Sequence, residues 1–497
     1  MKKYVYMMTG NDVWLDAALH LYQNKIAKPI LWLGDDRHFK KAKEIFSDDV
    51  LFMNTFVHYQ EEIDQINYID EESEFFFSKN YLRAKDRCLK MMDRLDLYGS
   101  YSRQDREVVF NKIAIFLLKK LSKQQPDALV MAEIAHSHAQ YLVLEVCLFL
   151  NIEIVKFNTW ILGPLLYLEN LRTGEKFEVT YQVDEEISNA IEKQIDFYVD
   201  TAIQKKNEGN FELDYMRNQR LKLAIKNRFI NFMRSGWIDF IKEFWFQFRK
   251  NVKSNYYQIN PYKFGIYIRT KIKRNRRQNL IKEQNRNTVK LNLSKRYVYF
   301  ALHFEPERTT NPDGGTFHDQ FLAILSLRKI LPKDIKIVVK EHPSQFYIYD
   351  RGSRGRSPLF YNLIKNIEGV ELVDYTENSF NLISNAEMTA TISGTIALES
   401  AILGKQSLIF GNAWFNDCPN VTKWSMDLTY KFLVNKKIAD SDSIRSFLKK
   451  TKQKYTVIGF QNTSCQNTFK RYLDFHQFSD SEFKGVTHLL TKFFETI

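Results

Sequence analysis

Cysteine is scarce, with four in 497 residues: Cys88, Cys147, Cys418 and Cys465. They are scattered without metal-ligand spacing, which excludes a disulfide scaffold or a zinc ribbon and points to free thiols in a reducing compartment. No stretch approaches eighteen uninterrupted apolar residues, so no bilayer-spanning helix is expected. The opening run Met1–Gly10 is too short and too soon structured to read as a signal peptide, so the expectation is a cytoplasmic protein. There is no short internal repeat, no low-complexity tract and no Asp-x-Asp pair in a loop suited to a metal. What is present, 44% hydrophobic and 14% aromatic residues, is enough for two or three cores.

Acidic residues are nearly missing from one window. Residues 215–296 hold 22 Lys/Arg against 3 Asp/Glu, a net of +19. The chain as a whole is +13, so everything outside that window nets −6. Phe229, Phe232, Trp237, Phe240, Phe244, Trp245, Phe246 and Phe248 recur there at helical spacing, interleaved with Arg228, Arg234, Lys242, Arg249 and Lys250. A basic helix with Trp and Phe on one side suits an anionic membrane surface. The same stripe could instead pack on its own protein. Nucleic acid ranks last because no recognition motif accompanies the charge.

On either side of that window, short apolar strands alternate with helices. In the first part, Lys3–Met8, Pro29–Gly34, Val50–Phe52, Ala128–Met131 and Ile152–Phe157 read as buried strands, with helices at Val13–Gln23 and Arg106–Ser122. In the last part the strands are Tyr297–Leu302, Ile335–Val339, Val370–Val373, Met388–Ile392 and Ser407–Phe410. The expected organisation is two α/β lobes, 1–200 and 297–497, with a basic helical insertion at 201–296.

Two strand ends in the last part carry chemistry. After Ile335–Val339 comes Lys340-Glu341-His342-Pro343; Pro343 ends the strand because it cannot donate to the ladder. After Met388–Ile392 comes Ser393-Gly394-Thr395, where glycine lets the backbone approach a ligand, and then a helical pattern with Gly404 as its stop. Amide groups at that helix start, two hydroxyls and His342 would together hold an anion such as a phosphate. Taken alone, Ser-Gly-Thr before a helix is more often a plain N-cap, and Glu341 is compatible with a surface partner for Lys340. In the first part, Met131–His138 follows a strand and opens a helix, placing Glu133 and His136 at the strand's carboxyl edge.

The run Tyr297–Thr310, with Gly314-Gly315 and Asp319-Gln320 and then the Lys-Glu-His-Pro and Ser-Gly-Thr-x-x-x-Glu segments, resembles bacterial capsular polysaccharide biosynthesis glycosyltransferases. These are GT-B proteins related to the Kdo transferases of capsule export and, more distantly, to bacterial polysialyltransferases. The match covers residues 297–425. The resemblance implies two Rossmann-like lobes facing a cleft, and a nucleotide-sugar donor whose phosphate meets Lys340, His342, Ser393, Gly394 and Thr395, with Glu399 near the ribose or base. It further implies catalysis without a metal or cofactor, and a polysaccharide or glycolipid acceptor. CMP-activated acidic sugars, Kdo in particular, are the implied donor. Glu133 is the candidate base or nucleophile and His136 its companion, while Glu305, Glu307 and Arg308 are candidates for lining the cleft. The expected location is peripheral, on the inner face of the cytoplasmic membrane, within reach of a capsule assembly complex. A UDP-sugar transferase, a sugar-nucleotide epimerase, a glycerophosphotransferase and a non-catalytic assembly factor remain open alternatives.

Overall fold

The computed structural model describes residues 1–34, 36–46, 50–54, 70–95, 102–160, 162–180, 185–208, 220–221, 277–292, 294–347, 352, 355–462 and 475–497. The Phe/Trp run at 228–250, expected from its spacing to be helical, lies outside the described residues.

Two sheets dominate. The first contains β1 (Lys2–Met7), β2 (Ala27–Gly34), β3 (Leu51–Asn54), β4 (Ala128–Met131), β5 (Glu153–Trp160), β6 (Leu165–Asn170) and β13 (Val457–Ile458), in the order β13-β6-β5-β4-β1-β2-β3. Its five strands from β3 to β5 pair in parallel, whereas β6 and β13 add antiparallel. The second contains β7 (Tyr297–Ala301), β8 (Lys336–Lys340), β9 (Val370–Val373), β10 (Met388–Thr391), β11 (Gln406–Ile409) and β12 (Val421–Lys423), all parallel, in the order β12-β11-β10-β7-β8-β9. Parallel sheets need both faces covered, and the near-continuous Val/Ile/Leu/Tyr runs meet that need with helices on each face. Two Rossmann-like lobes joined at a cleft are the GT-B arrangement.

Helix starts follow local chemistry. Ser102 caps α4 (Arg103–Gln124), exchanging hydrogen bonds with Asp105, and Ser137 caps α5 (His138–Phe149) in the same way with Gln140. The first lobe also has α1 (Val13–Gln23), α2 (Asp36–Phe46) and α3 (Lys79–Leu95). At the end of α12 (Ile396–Ile402), Gly404 takes φ 73°, the left-handed stop the sequence suggested.

The lobe boundaries at 200 and 297 need correcting, because the chain exchanges elements between lobes. Helix α6 (Glu185–Glu208) begins before the expected boundary at 200 and runs across it, yet Ile187, Ile191, Ile195 and Val199 pack with Ala397, Leu398 and Ala401 of α12 and with Ile444 and Leu448 of α14 (Ser441–Tyr455). Asp196 takes hydrogen bonds from Arg445 and Lys449, both at 2.9 Å. In return, β13 joins the first sheet, and α15 (Phe475–Thr496) sends Val486, Leu489, Leu490 and Phe493 into the core beside α1. Helix α7 (Arg277–Asn287), placed in the insertion by its charge, belongs to the second lobe: Gln284 donates to the Val373 carbonyl at 3.0 Å, and Val289 N–H to that of Leu372 at 2.8 Å.

Candidate active site

The carboxyl ends of β7, β8 and β10 converge on His303. Its Nε2 accepts the Ser393 N–H at 3.1 Å, so the ring proton sits on Nδ1, 3.2 Å from Thr309 Oγ1. Burial, with His342 and Arg356 nearby, pushes its pKa down to about 3, so the ring is a neutral linker. Gly394 is there because a side chain would not fit comfortably: an added Cβ would lie 3.1 Å from Thr391 Oγ1 and 3.4 Å from His303 Nε2. Ser393 Oγ donates to the Thr309 carbonyl at 3.0 Å, tying its turn to the loop after β7. Thr395 opens α12 without a side-chain cap. Among the described residues, no hydrogen bond engages the amides of Gly394 and Thr395 or the Thr395 hydroxyl.

His342 is set up differently. The Ser344 N–H donates to its Nδ1 at 3.2 Å, which leaves the proton on Nε2. Burial, reinforced by Lys340, lowers its pKa to about 4, so near neutrality it offers one N–H and no charge. No hydrogen bond among the described residues uses that N–H.

Below these groups lies a closed polar network. Glu341, read from sequence as a possible surface partner of Lys340, is instead fully buried and belongs to Arg356. It accepts from Arg356 Nε at 2.8 Å, the Tyr361 hydroxyl at 3.0 Å and the His342 N–H at 2.9 Å. Glu305 is buried as well, accepting from Thr310 and Gln320, each at 3.0 Å; burial raises its pKa. Gln345 clasps the Glu305 backbone, donating to its carbonyl at 2.9 Å and accepting its N–H at 2.8 Å. Glu305 is therefore scaffold for the loop and not cleft lining. Glu307 is exposed and accepts from the Thr309 hydroxyl at 3.2 Å.

Lys340 does not point its ammonium at the Ser393 turn. It donates to Ser379 Oγ at 2.7 Å, on α11 (Ser379–Asn385), and burial lowers its pKa to about 8. Ser379 Oγ also accepts the Tyr299 hydroxyl at 3.4 Å, and Glu399 adds its charge near Tyr299 and Tyr198. Lys340 and Glu399 thus share a neighbourhood on the sheet face opposite the one that carries Val298 and Phe300.

On the first lobe, Glu133 and His136 are together as expected. His136 Nδ1 is 3.0 Å from the Ile134 carbonyl and 3.5 Å from Glu133 Oε1. Glu133 Oε2 accepts Asn462 Nδ2 at 3.2 Å and lies 3.9 Å from Arg308 Nη1 of the second lobe. Arg94, which no sequence signal singled out, donates to the His136 carbonyl and, at 3.4 Å, to that of Asn311. Lys90 donates to the His318 carbonyl at 3.1 Å. Both lobes therefore meet through α3, with Glu133 and Arg308 facing each other across the junction. His303 had the position of a strand-end histidine; Arg356 and Gln345 lie too far along the chain from their partners for sequence spacing to show the contacts.

No family model matches the chain, and no curated protein does. Among solved structures, the UDP-GlcNAc 2-epimerase from Methanocaldococcus jannaschii is 12% identical over 90% of this chain and 99% of that one, with a TM-score of 0.23. Thermosulfurimonas dismutans KpsC, a beta Kdo 2,7 transferase, is 10% identical over 79% and 90%, with a TM-score of 0.28. The UDP-GlcNAc 2-epimerase from Neisseria meningitidis, bound to UDP-GlcNAc, is 11% identical over the whole of both chains, with a TM-score of 0.22. At these values the likenesses carry no argument, and the fold assignment rests on the two sheets themselves.

Proposed function

We propose that this chain is a GT-B glycosyltransferase that moves a sugar from a nucleotide donor to a capsular or other surface polysaccharide or glycolipid. The observation that carries the reading is His342, held as a neutral imidazole with a free Nε2–H on the same sheet edge as the uncommitted amides of Gly394 and Thr395. Such donors suit a phosphate and strengthen as charge develops on the leaving group. Protein groups meet that charge in place of a metal. Glu133, opposite on the first lobe, takes the proton of the acceptor hydroxyl, with Arg308 and His136 holding the carboxylate in place. A CMP-linked acidic sugar such as Kdo is the first choice of donor, supported by the sequence resemblance alone.

The test is a thermal-shift and calorimetry panel of CMP, UDP, GDP and CDP in the presence of EDTA. At least one should bind, and His342→Ala should weaken it by about 1.5–3 kcal/mol, the range for a hydrogen bond to a charged group, with the melting temperature unchanged. Unaltered nucleotide affinity in folded His342→Ala sinks the assignment.

The acceptor would be met at a membrane, through the +19 segment at 215–296. Co-sedimentation with anionic vesicles, weakened by salt and by Trp237→Ala with Trp245→Ala, is the expected outcome. Indifference to anionic vesicles at low salt removes the membrane from the proposal and leaves the transferase reading standing.

A further inference from the structure

After α14 the chain returns to the first lobe, and the return is pinned residue by residue. β13 pairs with Leu165 and Leu166 of β6. The Gly459 N–H then donates to the Pro164 carbonyl at 2.9 Å, and an added Cβ there would lie 2.9 Å from Leu166 Cδ1. Phe460 gives its N–H to Glu482 Oε1 at 2.8 Å and takes Asn11 Nδ2 on its carbonyl at 3.4 Å. Gln461 is buried. Its Nε2 donates to the Phe157 carbonyl at 2.7 Å, while its own carbonyl accepts the Trp14 indole N–H at 3.0 Å and the Thr9 hydroxyl. Phe157 lies in β5 and Thr9 just past β1, the two strands that flank β4, so the segment crosses the carboxyl edge over the end of β4. Asn462 comes next, and its Nδ2 donates to Glu133 Oε2 at 3.2 Å.

The other two groups near Glu133 hold it less firmly. His136 Nδ1 is 3.5 Å from Oε1 but 3.0 Å from the Ile134 carbonyl, which can only accept, so the ring proton goes there. Arg308 Nη1 is 3.9 Å from Oε2 and belongs to the second lobe, so it withdraws when the cleft opens. Asn462 is carried by a segment bound to the first sheet and stays.

We propose that Asn462 is a positioning residue that keeps the Glu133 carboxylate directed at the lobe junction in the open cleft as well as the closed one. An amide suits the task, because it fixes one carboxylate oxygen by a hydrogen bond and leaves the other for the acceptor hydroxyl. The role rests on the transferase reading, in which Glu133 takes the acceptor's proton.

The test follows donor turnover by the full-length chain, with UDP-GlcNAc and a CMP-linked acidic sugar as substrates, in wild type, Asn462→Ala and Asn462→Asp. Asn462→Ala should lower kcat about tenfold and Asn462→Asp about a hundredfold, each with the donor KM within about twofold, because the nucleotide is held on the second lobe. The ranking is the signature. Aspartate fills the space of asparagine but sets a second carboxylate against Glu133, whereas a merely structural residue would tolerate the isostere better than alanine. Combining Glu133→Gln with Asn462→Asp reverses donor and acceptor, and should restore the melting temperature lost in Asn462→Asp without restoring turnover. If Asn462→Asp does not fold, a lowered kcat in Asn462→Ala at unchanged donor KM and melting temperature carries the test. Wild-type turnover with Asn462→Asp unimpaired, or milder than Asn462→Ala, overturns the positioning role and leaves the transferase reading standing. Wild type that turns over neither donor overturns both.

Discussion

The two strand edges that face each other across the cleft are built on opposite plans. On the second lobe, Glu341, Arg356, Tyr361, Gln320, Gln345, Glu305 and His303 satisfy one another, so the edge is assembled before any ligand arrives. On the first lobe, Glu133 leans on Asn462 and, at 3.9 Å, on Arg308 of the second lobe. One edge is rigid by internal saturation, and the other is completed by its neighbour. Under the proposed function, a phosphate site would gain from fixed donors and an acceptor site would have to admit a chain end, which is what the contrast supports.

The contrast is broken most severely at Arg356. Arg356→Met strands the Glu341 carboxylate in the core, and unfolding by denaturant should show a loss of about 3–5 kcal/mol. Pairing it with Glu341→Gln should recover much of that loss, because the stranded charge rather than the missing contact is the larger cost.

A smaller, pH-dependent effect is expected at Glu482 on α15. Its Oε1 accepts the Phe460 N–H at 2.8 Å and Asn11 Nδ2 at 3.1 Å, and burial raises its pKa from an ordinary 4.5 to about 7. A raised carboxyl pKa favours the protonated form in the folded state. The stabilisation is therefore complete below pH 4.5 and lost as pH rises through about 7. Glu482→Gln, which keeps the accepting oxygen, should be more stable than wild type at pH 8, by on the order of 3 kcal/mol at most, and equal to it near pH 4.5. A variant less stable at pH 8 would mean the charge is welcome where it sits.

The smallest effect belongs to the first-lobe edge itself. Glu133→Gln loses a 3.9 Å contact with a partly exposed Arg308, so stability should move by no more than about 1 kcal/mol while sugar transfer collapses. A large stability loss would make Glu133 scaffold, like Glu305.

Much of this was legible from the chain. The β-branched runs predicted ten of the strands because buried parallel strands are apolar throughout, and Ala128–Met131 and Val370–Val373 were read to the residue. The strands β6, β12 and β13 were missed: the last two have three residues or fewer, and β6 returns antiparallel after Gly163-Pro164, a turn signal that the reading passed over. At the site, motif spacing singled out His342 and the Ser393-Gly394-Thr395 turn. It could not tell that Glu305 and Glu341 are locked in a buried network while Glu133 stands at the lobe junction, because burial and partner choice are tertiary facts.

The exchange of α6 and α15 between lobes fixes how the molecule can be cut. A fragment ending near residue 200 would expose the apolar flank of α6 and leave α1 without Leu489 and Phe493; its complement would carry α15 with nothing to cover. The lobes are thus two folds but not two cistrons' worth of protein. Because the chain crosses between them more than once, each lobe holds the other at a high effective concentration, and any opening of the cleft is a bending about those crossings rather than a parting.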